Sequence, residues 1–146
     1  MEHEIFFDGN IKEYSWSIKT GNNIAEQIRE HPPAFRSGGK LNITNNEESK
    51  FVALHVGIYW GLGVNVIKDH DIINAMCDSK MMFGIMTKGE KSDNEIINDK
   101  VYFINQLTHL RKLKMNYQFI ESKKNIATRH LFAEEDTAGR NSKGYV

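Results

Sequence analysis

The sequence lacks most features that mark secreted and membrane-spanning proteins. It contains a single cysteine, Cys77, so an intrachain disulfide framework is excluded and a reducing compartment is expected. No apolar run approaches the ~20 residues of a membrane-spanning helix, and the acidic start "MEHE" does not resemble a signal peptide. We therefore expect a cytoplasmic protein, or a viral protein that acts inside the cell, with no membrane partner.

The chain also lacks a net charge, because 19 basic residues balance 19 acidic ones. Any nucleic-acid binding must therefore come from local patches rather than from the overall field. Internal repeats and low-complexity segments are absent as well. The 146 residues, 40% hydrophobic and 26% charged, fit one globular domain with a proper core.

What is present is a pattern of strands first, and then of strands that alternate with helices. Strands are predicted at Glu4–Phe7, Tyr14–Lys19, Ile72–Cys77 and Met115–Ile120, with a possible further strand at "LNI", residues 41–43. The segment "NNIAEQIREHPPAF" fits either a short helix that stops at the prolines or irregular strands.

Four segments read as helices. The clearest is "TNNEESKFVALHVGIYWGLG", with Asn46 as its N-cap and Gly63 as its stop, and with Gly57 suited to close packing on a sheet. The others are "KMMFGIMT", "IINDKVYFINQLTHLRKL" and "NIATRHLFAEE". The resulting order predicts an α/β fold, a mixed sheet with helices packed on its faces.

Two acidic residues share one setting, since Asp8 and Asp78 each end an apolar strand. If those strands are parallel neighbours, both carboxylates emerge at the same edge of the sheet. Carboxylates at close range repel, and the usual remedies are a shared proton or a divalent cation. A third carboxylate from Glu47 or Glu48 would complete an oxygen-rich site suited to Mg²⁺ or Mn²⁺.

Four segments in order resemble the ribonuclease H family, the endonucleases that cut RNA in RNA–DNA hybrids. "FFDGN" is similar to the family's first strand, "TNNEESKFVALHVGIYWGLG" to its "TNN-x-A-E-x-x-A-L" helix, and "MCDSKMMFGIMT" to its "D-S" strand end. "MNYQFIESKKNIATRHLFAEE" resembles its last strand, loop and "N-x-x-A-D-x-L-A" helix. The resemblance implies a ribonuclease-H-like domain over residues 1–136, followed by a polar tail, residues 137–146.

The resemblance implies hydrolysis of the RNA strand by two Mg²⁺ ions, with Mn²⁺ as a substitute. Asp8 and Asp78 would be catalytic metal ligands. Hybrid contacts are implied for Asn45 and Asn46, whose amides suit base edges and the RNA 2′-hydroxyl, for Thr44, whose hydroxyl suits a phosphate, and for Lys80 beside the "DS" pair. A monomer is expected.

The second acidic position departs from the family. Aligning "AL" places Lys50 at the family's glutamate, whereas aligning "TNN" places Ser49 there. We assign Glu48 as the catalytic metal ligand, with Glu47 as the alternative. In the competing interpretation both glutamates are only favourable charges at a helix start.

The fourth acidic position departs as well, because Arg129 falls on the family's aspartate. Asp136 is assigned as the metal ligand in its place, and Glu134, Glu135 and His130 are the alternatives. These departures keep two other functions open. One is an impaired ribonuclease-H-like module that binds a hybrid or a protein, and the other is a structure-selective DNA nuclease that uses a ligand such as His130.

Overall fold

The computed structural model describes residues 1–32 and 43–131. Several predictions lie outside these residues: most of the possible strand "LNI", the candidate ligands Glu134, Glu135 and Asp136, the boundary at residue 136 and the tail 137–146.

Five strands form one mixed sheet in the order β3-β2-β1-β4-β5. The strand β1 pairs antiparallel with β2, and β2 with β3, whereas β4 runs parallel to both β1 and β5. The mixed sheet predicted from the sequence is confirmed. Its strands are β1 Glu2–Gly9, β2 Glu13–Thr20, β3 Asn23–Glu30, β4 Ile72–Cys77 and β5 Lys114–Phe119.

The segment whose type the sequence left open is the edge strand β3, and not a helix. It pairs with β2 along its whole length, from Asn23 opposite Thr20 to Glu30 opposite Glu13. The strand ends before Pro32, which has no backbone N–H to donate to a sheet.

Three predicted helices are confirmed: α1 Asn46–Gly63, α2 Lys80–Lys88 and α3 Glu95–Leu110. The predicted N-cap of α1 was wrong by one residue. Asn45 is extended, and its side chain accepts a hydrogen bond from the Glu48 backbone N–H. Asn46 is therefore the first helical residue.

The main core lies between the sheet and α1, α2 and α3. The apolar face of α1 is buried there together with Trp16, and Gly57 lets the helix approach the sheet. A Cβ on Gly57 would lie 3.0 Å from Trp16 Cγ and 3.1 Å from Ile5 Cδ1. Cys77 is fully buried in this core, where burial raises the pKa of its thiol to about 11, so it is not poised as a nucleophile.

The second face of the sheet carries a smaller apolar cluster around Phe6, Met76 and Ala127. Residues 128–131 are helical and begin beside this cluster, and the rest of the predicted last helix lies outside the described residues. Ser15 Oγ donates to the Ala127 carbonyl oxygen at 2.8 Å. The final segment is thereby attached to the sheet next to the ends of β1 and β4.

The parallel pairing of β1 and β4 decides where the two aspartates meet. Phe6 lies opposite Met76 in the register, so two residues further on Asp8 lies opposite Asp78. Both side chains emerge at the same edge of the sheet and on the same face.

Among the helices of the described residues, none is long and apolar enough to cross a membrane.

Candidate functional site

A cavity of about 420 Å³ opens at the edge of the sheet where β1 and β4 end. It collects side chains from the strand ends, from the start of α1 and from the segment that follows β5. The lining residues are Asp8, Gly9, Asn10, Asn46, Lys50, Asp78, Ser122, Lys123, Thr128 and Leu131. The structure therefore brings together the two aspartates that the sequence singled out.

Asp8 is nearly buried, and both of its carboxylate oxygens have donors. The backbone N–H of Gly9 donates to Oδ1 at 2.8 Å, and Thr128 Oγ1 donates to Oδ2 at 2.5 Å. Burial raises the pKa of Asp8 above its ordinary value, and the nearby charge of Asp78 adds to that rise. The Thr128 hydrogen bond and the charge of Lys50 oppose it without cancelling it.

Asp78 is compensated by a lysine. Lys50 Nζ donates to Asp78 Oδ1 at 2.8 Å and lies 3.8 Å from Asp8 Oδ1, while Asn125 Nδ2 donates to Asp78 Oδ2 at 3.0 Å. Burial works against the charge of Lys50, but its hydrogen bond to Asp78 and the charges of Asp78 and Asp8 raise the pKa of the ammonium overall. The carboxylate pair is thus bridged by a cation that belongs to the chain itself.

The Glu48 carboxylate is engaged away from the Asp8–Asp78 pair. Its carboxylate accepts the Thr44 backbone N–H at 2.7 Å and Asn94 Nδ2 at 2.6 Å, which ties the start of α1 to the N-cap of α3. Glu47 is also engaged, because Ser79 Oγ, the N-cap of α2, donates to it at 2.6 Å. Both glutamates therefore connect helix N-termini, and the assignment of Glu48 as a metal ligand stays a prediction.

The residue alignment on "AL" is the one that matches the structure, since Lys50 lies between the aspartates. Ser49 points elsewhere, with its Oγ 2.7 Å from His31 Nε2. At the fourth position Thr128, one residue before Arg129, contacts Asp8. His130 lies against β3, with Nε2 2.9 Å from Glu26 Oε1.

The residues predicted to contact a hybrid divide into two groups. Asn46 is exposed and lines the cavity. Thr44, Asn45 and Lys80 are exposed but do not line it, and the Thr44 hydroxyl lies 3.3 Å from each oxygen of Glu48. The N-cap hydrogen bond of Asn45 uses only its side-chain carbonyl oxygen, so its side-chain NH₂ group is not part of the cap.

The described residues do not fit the two divalent cations that the resemblance implied. No group of three or more His, Cys, Asp or Glu side chains that could hold a metal exists within residues 1–32 and 43–131. Between Asp8 and Asp78 the bridging position is taken by the Lys50 ammonium. A magnesium site needs several anionic or neutral oxygen ligands, and a fixed positive charge in their midst opposes it.

Sequence reasoning underrated Lys50, Thr128 and Asn125 as site residues. The signal for Lys50 was the "AL" alignment, which placed a lysine at the family's glutamate. The signal for Thr128 was weaker, because the family motif fits one residue later, at Arg129. Asn125 was recognised only as part of the family's motif, not as the partner of Asp78.

Comparison with known proteins gives the fold. No protein-family model matches the sequence, and no curated protein matches it either. Among solved structures, RNase H1 from the halophilic archaeon Halobacterium salinarum NRC-1 has a TM-score of 0.66 and 13% identity, over 91% of this chain and 99% of that one.

Two further solved structures agree. The N-terminal RNase H domain of a Mycobacterium tuberculosis protein has a TM-score of 0.67 and 16% identity, over 88% of this chain and 95% of that one. LC11-RNase H1 in complex with an RNA/DNA hybrid has a TM-score of 0.62 and 13% identity, over 88% and 91% of the two chains. The five-stranded mixed sheet flanked by helices is therefore the ribonuclease H fold.

Proposed function

We propose that this chain is a nucleic-acid-binding domain that holds an RNA–DNA hybrid at the cavity beside Asp8 and Asp78. The observation that carries the proposal is the composition of this cavity. Amide, hydroxyl and ammonium donors from Asn46, Ser122 and Lys123 surround an acidic pair whose charge Lys50 partly offsets. A phosphate backbone can therefore approach carboxylates that would otherwise repel it.

The likeness to LC11-RNase H1, which was solved with an RNA/DNA hybrid, supports the same class of ligand on the same fold. Asn46 and Lys123 are the contacts that we expect to matter most. An exposed amide can pair with base edges or with the 2′-hydroxyl that distinguishes RNA from DNA, and an ammonium neutralises a phosphate.

Binding is tested by fluorescence anisotropy with a labelled hybrid and with DNA and RNA duplexes of the same sequence, in EDTA and in Mg²⁺. Asn46→Ala should weaken hybrid binding about fivefold, the equivalent of one lost hydrogen bond. Asn22→Ala is the matched control, because Asn22 is exposed in the turn between β2 and β3 at the opposite edge of the sheet. Equal affinity for all three duplexes, or an equal effect of both variants, would contradict the proposal.

Hydrolysis of the RNA strand is the second candidate function, and the convergence of Asp8 and Asp78 favours it. It requires metal ligands beyond the described residues, for which Asp136 was predicted. The labelled hybrid is incubated with the full chain in Mg²⁺ and in Mn²⁺. Cleavage by the wild type that is abolished in Asp78→Asn would establish this function. If the hybrid stays intact, binding without hydrolysis is the function that remains.

A further inference from the structure

We propose that Lys50 is a built-in counterion of the Asp8–Asp78 pair, and that its ammonium keeps divalent cations out of the cavity. This inference concerns the site of the proposed function and explains how that site could bind a hybrid without cutting it. Its core claim is about metal binding, and it is tested without nucleic acid.

The backbone holds Lys50 in this position. Gly9 has no side chain, and the start of α1 packs directly against it, so that a Cβ on Gly9 would lie 2.1 Å from Ser49 Oγ and 3.1 Å from the Ser49 carbonyl carbon. Lys50 follows Ser49 immediately, and Ser49 is held by His31 and by the Glu13 carbonyl oxygen. The backbone of Lys50 is therefore held next to the end of β1.

The ammonium group of Lys50 is held by the two aspartates. Its Nζ lies 2.8 Å from Asp78 Oδ1 and 3.8 Å from Asp8 Oδ1, and only 14% of its side chain is exposed. A side chain so enclosed does not exchange freely between the carboxylates and water. The positive charge thus stays where a bridging metal would have to bind.

Every oxygen of the pair already has a donor. Asp8 accepts hydrogen bonds from the Gly9 backbone N–H and from Thr128 Oγ1, and Asp78 accepts them from Lys50 Nζ and Asn125 Nδ2. A metal ion would have to displace these donors, lose much of its hydration shell, and sit beside an ammonium. Because Mg²⁺ gives up water reluctantly, the exchange is unfavourable.

The test is Mn²⁺ titration of the full chain without nucleic acid, read by the electron paramagnetic resonance signal of free Mn²⁺. Wild type should bind no Mn²⁺ at Asp8 and Asp78. Lys50→Glu replaces the cation with a third carboxylate and should bind Mn²⁺ at least about tenfold more tightly than wild type. Lys68→Glu is the matched control, because it makes the same charge change on an exposed residue just before β4, at the opposite end of that strand.

A second variant covers the case in which Lys50→Glu fails to fold. Lys50→Gln leaves the two carboxylates without their cation, so its thermal midpoint should rise on addition of Mn²⁺, and Asp8→Asn added to it should abolish the rise. Tight Mn²⁺ binding by wild type that Asp8→Asn removes would overturn the proposal. So would folded Lys50→Glu and Lys50→Gln proteins that bind Mn²⁺ no better than wild type.

The two proposals fail separately. If the wild type does not bind the hybrid in EDTA but the Mn²⁺ titrations give the expected results, the proposed function is refuted and the role of Lys50 as a counterion stands. If the wild type binds the hybrid and also binds stoichiometric Mn²⁺ at Asp8 and Asp78, the counterion role is refuted and the proposed function stands.

Discussion

Lys50 is a largely buried cation shared by two carboxylates, and its removal leaves their charges uncompensated. Breaking such a pair from one side typically costs about 3 kcal/mol or more. We therefore expect Lys50→Gln to lower the free energy of unfolding by about 3 kcal/mol at neutral pH, measured by urea denaturation. Lys68→Gln, at an exposed position, should change it little.

The loss in Lys50→Gln should depend on pH with a definite sign. Burial already raises the pKa of Asp8, and Lys50 is one of the groups that oppose the rise. Without Lys50 the folded-state pKa of Asp8 lies further above its unfolded value, so the folded variant gains stability relative to wild type as pH falls through that pKa. A loss of stability that stays constant from neutral to acidic pH would show that Lys50 acts by packing alone.

Asp71 is the acid-sensitive residue at the other end of the sheet. Burial works to raise its pKa, but hydrogen bonds from His3 Nε2 at 2.8 Å and from the Lys68 backbone N–H at 2.9 Å lower it overall. A lowered folded-state pKa gives stability that is present above the unfolded value of 3.8 and is lost as pH falls through the folded one.

Asp71→Asn should therefore lose stability at neutral pH and show a shallower decline below about pH 4 than wild type. Urea denaturation across that range measures both effects. Asp69→Asn, on an exposed neighbour, is the control, and an equally steep acid decline in Asp71→Asn would contradict the assignment.

At the scale of the elements, the start of α1 is the junction that positions the site. Glu48 joins α1 to the N-cap of α3, and Glu47 joins it to the N-cap of α2. We expect Glu48→Ala to lower stability by about 2 kcal/mol, because it leaves two partly buried donors, the Thr44 N–H and Asn94 Nδ2, without their acceptor. Glu95→Ala, in the exposed first turn of α3, should cost about 0.5 kcal/mol.

Glu48→Ala also separates the two interpretations of this residue. If Glu48 connects helix starts, the variant loses stability and keeps any affinity for Mn²⁺ unchanged. A variant of unchanged stability that loses metal binding or cleavage would restore Glu48 as a ligand.

The approach of α1 to β1 depends on Gly9. A Cβ there would meet Ser49 Oγ at 2.1 Å, so Gly9→Ala should cost about 2 kcal/mol and shift Lys50 away from the aspartates. Gly63, at the end of α1, has nothing within 4 Å of a Cβ, and Gly63→Ala should be neutral or slightly stabilising. Thermal denaturation of both variants checks the difference, and equal midpoints would contradict it.

At the scale of the whole molecule, zero net charge means that hybrid affinity must depend on a few local contacts. The logarithm of affinity should fall with the logarithm of salt concentration by about 0.9 for each phosphate neutralised. We expect Lys123→Ala to reduce that slope by about 1, whereas Lys68→Ala should leave it unchanged. A slope identical in wild type and Lys123→Ala would exclude Lys123 as a phosphate contact.

The sequence by itself determined most of the order of the elements and the position of Asp8 and Asp78 at the ends of apolar strands. Their meeting was only conditional on those strands being parallel neighbours, and the pairing of β1 with β4 supplies that condition. Residue size also determined the close approach of α1 to the sheet at Gly57, because only glycine leaves that room.

Only the tertiary structure decided which residue compensates the negative charge of the two aspartates. Each step along a helix turns the side chain by about 100°, so the rotation of α1 about its axis against the sheet decides which of Glu47, Glu48, Ser49 and Lys50 faces β1. That phase is set by the contact between Gly9 and Ser49 and by the acceptors that Glu47 and Glu48 provide to distant helix starts. Such contacts join residues far apart in the chain, and for that reason no local pattern contains them.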